Sequence, residues 1–201
     1  MSEINILYKP NQDLKGHQQL VVAEIQPFQT LVFSKQECFE VWYPWMVYAI
    51  NPLTFHSHIW VRPAPLQAVD QMLYIMPFPH TDASGSICYF PAQWVNLDLK
   101  KAAQAGERLE EFVAACLTAY TSGDNKYFLS TNGIPPEIAQ QVRHRHDVKE
   151  FLGAWEKLTK EQVLELHFHP LYPLSEAVDR LIGRTMEDTM RHARIFHHES
   201  D

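Results

Sequence analysis

Cysteine is scarce in this chain of 201 residues: Cys38, Cys88 and Cys116 are an odd number at wide spacing. No two stand as Cys-x-x-Cys, which argues against a disulfide framework and a thiolate zinc site. Basic charge is short as well. The 17 Lys and Arg face 24 Asp and Glu, for a formal net charge of -7. The general attraction to phosphate that nucleic-acid binding needs is therefore missing on average, and no nucleic-acid partner is expected. The basic run "RHRH", Arg143–His146, reads as a solvated helix face. No apolar run approaches the roughly 18 residues of a membrane helix. The opening "MSEINILYKPNQ" has no basic end followed by an apolar stretch, so no secretion signal or membrane partner is expected. The expected compartment is the reducing cytoplasm, where free thiols persist.

Several chemical signatures are missing too. There is no GxxxxGK[ST] or GxGxxG to cradle phosphates, no GxSxG nucleophile elbow and no HExxH. No cofactor is expected. What the chain does have is a globular profile, 46% hydrophobic and 20% charged, and enough length to bury a core without staples. It reads as one domain over 1–201, with a strand-rich part over 1–97 and a helical part over 98–201.

The strand-rich part is legible from its β-branched and aromatic runs. "QQLVVAEIQPF", "QTLVFSKQECFEVWYPWMVYAI", "FHSHIWVRP" and "QMLYIMPFP" are punctuated by Pro27, Pro44, Pro52, Pro63 and Pro65, in the manner of an antiparallel meander. Trp42 and Trp45, three apart, are expected on opposite sides of a strand, one of them exposed or under a partner. Beyond Cys88 the apolar period becomes helical. Leu109, Phe112, Val113, Cys116, Leu117 and Tyr120 mark a helix between Leu97 and Tyr120, with Gly106 as a weak point that could move its start to Ala105; Gly123 ends it. A short helix is expected after Pro135–Pro136, and another carries Phe151, Leu152 and Trp155. Thr159 and Gln162 form a capping-box pattern. Ser175 is the expected N-cap of a last helix with the stripe Val178, Leu181, Ile182, Met186 and Met190. Strands first and helices second make the class α+β.

Chemistry concentrates at "PHTDASGSICYF", Pro79 to Phe90. An extended, proline-flanked loop keeps a sulfur out of the core, and Gly85 lets the backbone turn tightly beside it, with positive φ if needed. Cys88 is thus the candidate nucleophile. Cys38, in a strand, and Cys116, on a helix stripe, are expected in the core. The 11 histidines include three His-x-His pairs: His56/His58, His144/His146 and His167/His169. Two imidazoles on one strand face could meet a metal, but a zinc site needs three or four ligands, so no metal residues are assigned.

The segment Pro79–Phe90 resembles the active-site segment of ubiquitin-conjugating enzymes. In these a strand meander runs into a histidine-bearing loop and then Gly-x-Ile-Cys, here "GSIC", Gly85 to Cys88. Where the eukaryotic pattern has His-Pro-Asn, this chain has His80-Thr81-Asp82, without the asparagine and closer to the cysteine. In that spacing, and in "FLGAWEKL" and "HFHPLYPLSEAVDRLI", it is similar to the prokaryotic relatives, nearest the PRTRC system protein B type. The looser agreement in element order spans residues 20–182.

The resemblance implies a UBC-like α+β fold: a four-stranded antiparallel meander flanked by helices, with a helical C-terminal extension. It implies a thioester of a ubiquitin-like modifier on Cys88, delivered by an adenylating enzyme and passed to an amine. His80 would donate to the oxyanion, with the Thr81 hydroxyl as substitute. Asp82 stands at the asparagine's place, where its charge would repel an oxyanion, and Asp124 would orient the incoming lysine. Two other readings stay open: an inactive binding module of the same fold in a plasmid or defence operon, and a His-rich metal-binding protein.

Overall fold

The computed structural model describes residues 3–10, 19–88, 95–122, 133–144 and 147–182. They form a mixed α+β structure with an antiparallel sheet and six helices. The strands are β1 (Ile4–Tyr8), β2 (Val21–Ile25), β3 (Phe28–Ser34), β4 (Glu37–Tyr43), β5 (Trp45–Ile50), β6 (Ser57–Arg62), β7 (Met72–Ile75) and β8 (Pro170–Pro173). The helices are α1 (Leu97–Gln104), α2 (Leu109–Thr121), α3 (Pro136–Ala139), α4 (Val148–Trp155), α5 (Lys160–Leu164) and α6 (Leu174–Ile182).

The main sheet runs β1-β2-β5-β6-β7-β8, every pair antiparallel, and β3-β4 is a separate hairpin between β2 and β5. The expectation of four strands is corrected to a six-stranded sheet plus a hairpin. β1 and β8 are the additions. Both are short, and Pro170–Pro173 has no β-branched run to announce β8. It also breaks the division into strands before 97 and helices after.

Alternation along the central strands splits their side chains between two cores, because successive residues of a strand point to opposite faces. Val21, Ala23, Ile25, Met46, Tyr48, Ile50, Ile59 and Val61 belong to the larger core. Val22, Val47, Ala49, Trp60 and Leu73 belong to the smaller one. The larger core is covered by the hairpin and by residues of α2 to α5, with Trp155, Phe151 and Phe112 fully buried. The indole N–H of Trp155 donates to the Trp42 carbonyl at 2.8 Å, tying α4 to the hairpin. The smaller core is covered by Leu174, Ala177, Val178 and Ile182 of α6, with Leu66 and Val69 from the β6–β7 loop.

Local chemistry explains the helix ends. Asn96 caps α1 and Asp147 caps α4, each accepting two backbone N–H bonds. Thr159 and Gln162 make the reciprocal capping box of α5. The single helix read from Leu97 to Tyr120 is two. Gly106 at φ 78° and Arg108 at φ 50° turn the chain between α1 and α2. The apolar stripe of α2 is buried as expected. Ser175 lies inside α6, which begins at Leu174. Gly123, Met186 and Met190 lie outside the described residues. Arg143 and His144 sit in a bend before α4 rather than on a helix face, their backbone N–H groups donating to Glu150.

Cys38 corrects another expectation. On β4, Phe39, Val41 and Tyr43 turn inward, so Cys38 and Glu40 turn outward and Cys38 is exposed. Its cross-strand partner Phe33 is also exposed. Cys116 is buried on α2, as its stripe required. Trp42 and Trp45 are both half-buried. Among the described residues no helix is long and apolar enough to cross a membrane.

Candidate functional site

The cysteine loop is fixed at its base by aromatic packing. Phe78 is buried, stacked on Tyr43 at 4.3 Å between ring centres and set edge-on to Trp155 at 4.8 Å. Next to it the Thr81 and Tyr120 hydroxyls share a hydrogen bond at 2.8 Å, and Tyr120 also donates to the Pro79 carbonyl at 3.2 Å. His80, at φ 64°, reverses the chain, and its carbonyl accepts the Cys88 N–H at 2.8 Å.

Asp82 shapes the tip. One carboxylate oxygen accepts from the Ser84 N–H at 2.8 Å, the Ser84 hydroxyl at 2.7 Å and the Ser86 N–H at 2.9 Å. Side chains of Asp commonly organise turns in this way. Gly85 at φ 89° completes the reversal, and no other residue fits. A Cβ there would lie 2.4 Å from Trp60 Nε1 and 2.8 Å from the Ile59 carbonyl oxygen. The Ser84 carbonyl accepts from both Trp60 Nε1 and the Tyr172 hydroxyl, each at 2.9 Å.

The returning limb docks on the free side of β6, past the point where β7 ends. Ile59 N–H donates to the Gly85 carbonyl at 2.8 Å and Ile87 N–H to the Ser57 carbonyl at 2.9 Å, flanking a bridge between His58 and Ser86. Ile87 packs against the larger core. Ser86 pairs with His58, and Cys88 follows in a bend beyond the first residue of β6.

There Cys88 is exposed, at a groove of about 830 Å³. His56, His58, Ser86, Tyr172, Arg180 and Leu181 are among the groove's other walls. His56 stacks on His58 at 4.9 Å, and His58 on Trp60 at 5.6 Å. Arg180 lies over the Tyr172 ring at 4.5 Å and pairs with Glu176.

Electrostatics follow from this packing. Burial pushes the Cys88 thiol up, and the Asp82 charge pushes it further. Burial, then neighbouring His56, drive His58 down to about 4 against the pull of Asp82. Burial would raise Asp82, but the bonds from Ser84 and Ser86, and His58, outweigh it and leave the carboxyl below its ordinary value. At neutral pH the site holds a protonated thiol, a neutral imidazole and a carboxylate.

Of the residues expected from sequence, Cys88 stands where a ligand can reach it. His80 is buried, 8% exposed, and is not among the groove-lining side chains. The Thr81 hydroxyl faces Tyr120, and Asp82 serves the loop itself. Asp124 lies outside the described residues. His56 and His58 were legible only as a strand pair; that they stand beside Cys88 depends on cross-strand register, which no local pattern carries.

Among the described residues no group of three His, Cys, Asp or Glu could hold a metal ion. His144 is bonded to Glu150 and His167 to Glu137; His146 lies outside the described residues. No family model matches the sequence, and no curated protein or solved structure resembles it closely enough to count as a relative.

Proposed function

We propose that the chain is a prokaryotic protein of the ubiquitin-conjugating type, with a UBC-like fold and with Cys88 as its thioester nucleophile. The observation that carries this reading is the exposed Cys88 thiol at the edge of an open groove, on a loop held rigid by Asp82, Gly85 and Trp60. An adenylating enzyme presents the activated C-terminal carboxyl of a ubiquitin-like modifier. The Cys88 sulfur bonds to the acyl carbon, the carrier's bond to that carbon breaks, and the Cys88 proton leaves with the carrier group. An amine then attacks the same carbon; an amide forms, the C–S bond breaks, and the thiol recovers its proton. A thioester is reactive enough that the protein need chiefly hold it in place and stabilise the oxyanion. Free thiols at Cys38, Cys88 and Cys116 suit the reducing cytoplasm.

A second reading has its own observation. Burial and the Asp82 charge hold the Cys88 thiol protonated, which favours a binding module of the same type that carries no thioester. Replacement of Cys88 by Ser or Lys separates the two. The conjugating protein accumulates a stable oxyester or amide adduct with a small protein in the cells that make it, read as an added mass on residue 88. No adduct, with partner binding unchanged, leaves the binding module.

A further inference from the structure

Resting on the thioester reading above, we propose that His58 is the catalytic hydrogen-bond donor to the oxyanion formed at the acyl carbon on Cys88. The juxtaposition comes from strand register. The His58–Ser86 bridge sets these residues side by side, and the two backbone bonds that flank it fix the pairing. Two residues beyond the bridge, His56 just before β6 and Cys88 in a bend line the same groove. His58 lines it too, so both imidazoles and the thiol open into one groove.

The ring of His58 is also held in place. It lies between His56 and Trp60, with planes 10° and 21° from theirs. Trp60 is itself anchored through Nε1 to the Ser84 carbonyl. Among the described residues none hydrogen-bonds the His58 ring, which leaves its N–H for a ligand atom. The other candidates in the loop are committed elsewhere: Thr81 to Tyr120, and Asp82 to Ser84 and Ser86.

Charge agrees with geometry. The titratable and charged groups around the ring are His56 just before its strand, Asp82 and Cys88 on the cysteine loop, and Tyr172 and Arg180 across the groove. Burial and His56 keep His58 uncharged at neutral pH. A neutral imidazole fixed before the reaction donates its N–H without reorganisation, as an oxyanion donor requires.

The test uses two reactions of one sulfur, in a Cys38→Ser background so that Cys88 is the only exposed thiol among the three cysteines. The first probe is the thioester of acetyl-glycyl-glycine with mercaptoethanesulfonate. Its exchange onto Cys88 forms one C–S bond, breaks another and releases the sulfonate thiol with the Cys88 proton; nothing is oxidised or reduced. The second probe, iodoacetamide, alkylates the same sulfur by displacement and passes through no oxyanion. With His58→Ala, exchange slows on the order of a hundredfold while alkylation changes by less than about twofold. His58→Gln, which keeps an N–H donor, recovers a large part of the loss. Cys116 left unalkylated reports that each variant is folded. Equal slowing of both reactions, or exchange as fast as in the parent, overturns the assignment of His58 while the thioester reading stands. A parent chain that alkylates at Cys88 but never exchanges defeats the thioester reading, and this assignment with it.

Discussion

Cys116 and Cys88 are both reduced thiols, and burial pushes both upward, yet they lie under different layers of one fold. Cys116 sits on α2 against the larger core, fully covered. Cys88 sits beside the start of β6, exposed in a groove that Ala177, Arg180 and Leu181 of α6 wall without covering. The residue type is the same and the covering layer differs. A sheet sealed on one face and only partly roofed on the other has a natural place for chemistry at the end of the roof.

The covered face should answer mutation with stability alone. Ile25→Ala removes a fully buried side chain of the larger core on β2, which β5 separates from β6. A cost of about 4 kcal/mol is expected in urea unfolding, with native Cys88 alkylated at its normal rate. An altered rate would mean that the two faces are not independent. Gly85→Ala sharpens the contrast from the other side. It forces a Cβ against Trp60 and the Ile59 carbonyl at positive φ, at a cost of roughly 2–3 kcal/mol, and Cys88 alkylation should change with it. A normal melting curve would show that the loop is not packed as described.

The groove face also carries a pH dependence on the acid side of neutrality. His58 falls to about 4 in the folded protein from an ordinary value of 6.5, so the unfolded chain binds the proton more readily. Stability is therefore complete above about pH 6.5 and declines as pH falls toward about 4, by roughly 2 kcal/mol after allowance for solvent reaching the ring. His58→Gln should flatten that slope, measured as unfolding midpoints between these limits; an unchanged slope would place the titration elsewhere. The smallest effect belongs to Cys38. Exposed on the outer side of its hairpin, Cys38→Ser should alter stability by less than about 0.5 kcal/mol, and loss of a cooperative transition would contradict its exposure.

How much of this was legible in the sequence depends on how far each feature reaches along the chain. The α2 stripe, the Thr159 capping box and the strand runs of β2, β5 and β6 are local patterns, and all are present. The break between α1 and α2 was signalled by Gly106, but the positive φ of Arg108 that completes it was not. Strand β8 escaped because Pro170–Pro173 has no alternation of its own and exists as a strand only by pairing with β7. Cys38 was read as core from its strand, although hairpin register decides which face it takes. In the site, the exposed thiol and the glycine turn were foreshadowed by "GSIC", whereas His58 was visible only as half of a His-x-His pair. Its placement beside Cys88 arises from two segments about 30 residues apart, and local sequence carries no trace of such a pairing.

The most direct test of a thioester on Cys88 is the mass of the intact wild-type chain, taken from cells quenched in acid without reducing agent. The expected result is a fraction of molecules carrying one additional small protein, released by dithiothreitol and absent from Cys88→Ala. Wild-type chains that show only the unmodified mass under that quench, while the adenylating enzyme and its modifier are present in the same cells, would contradict it.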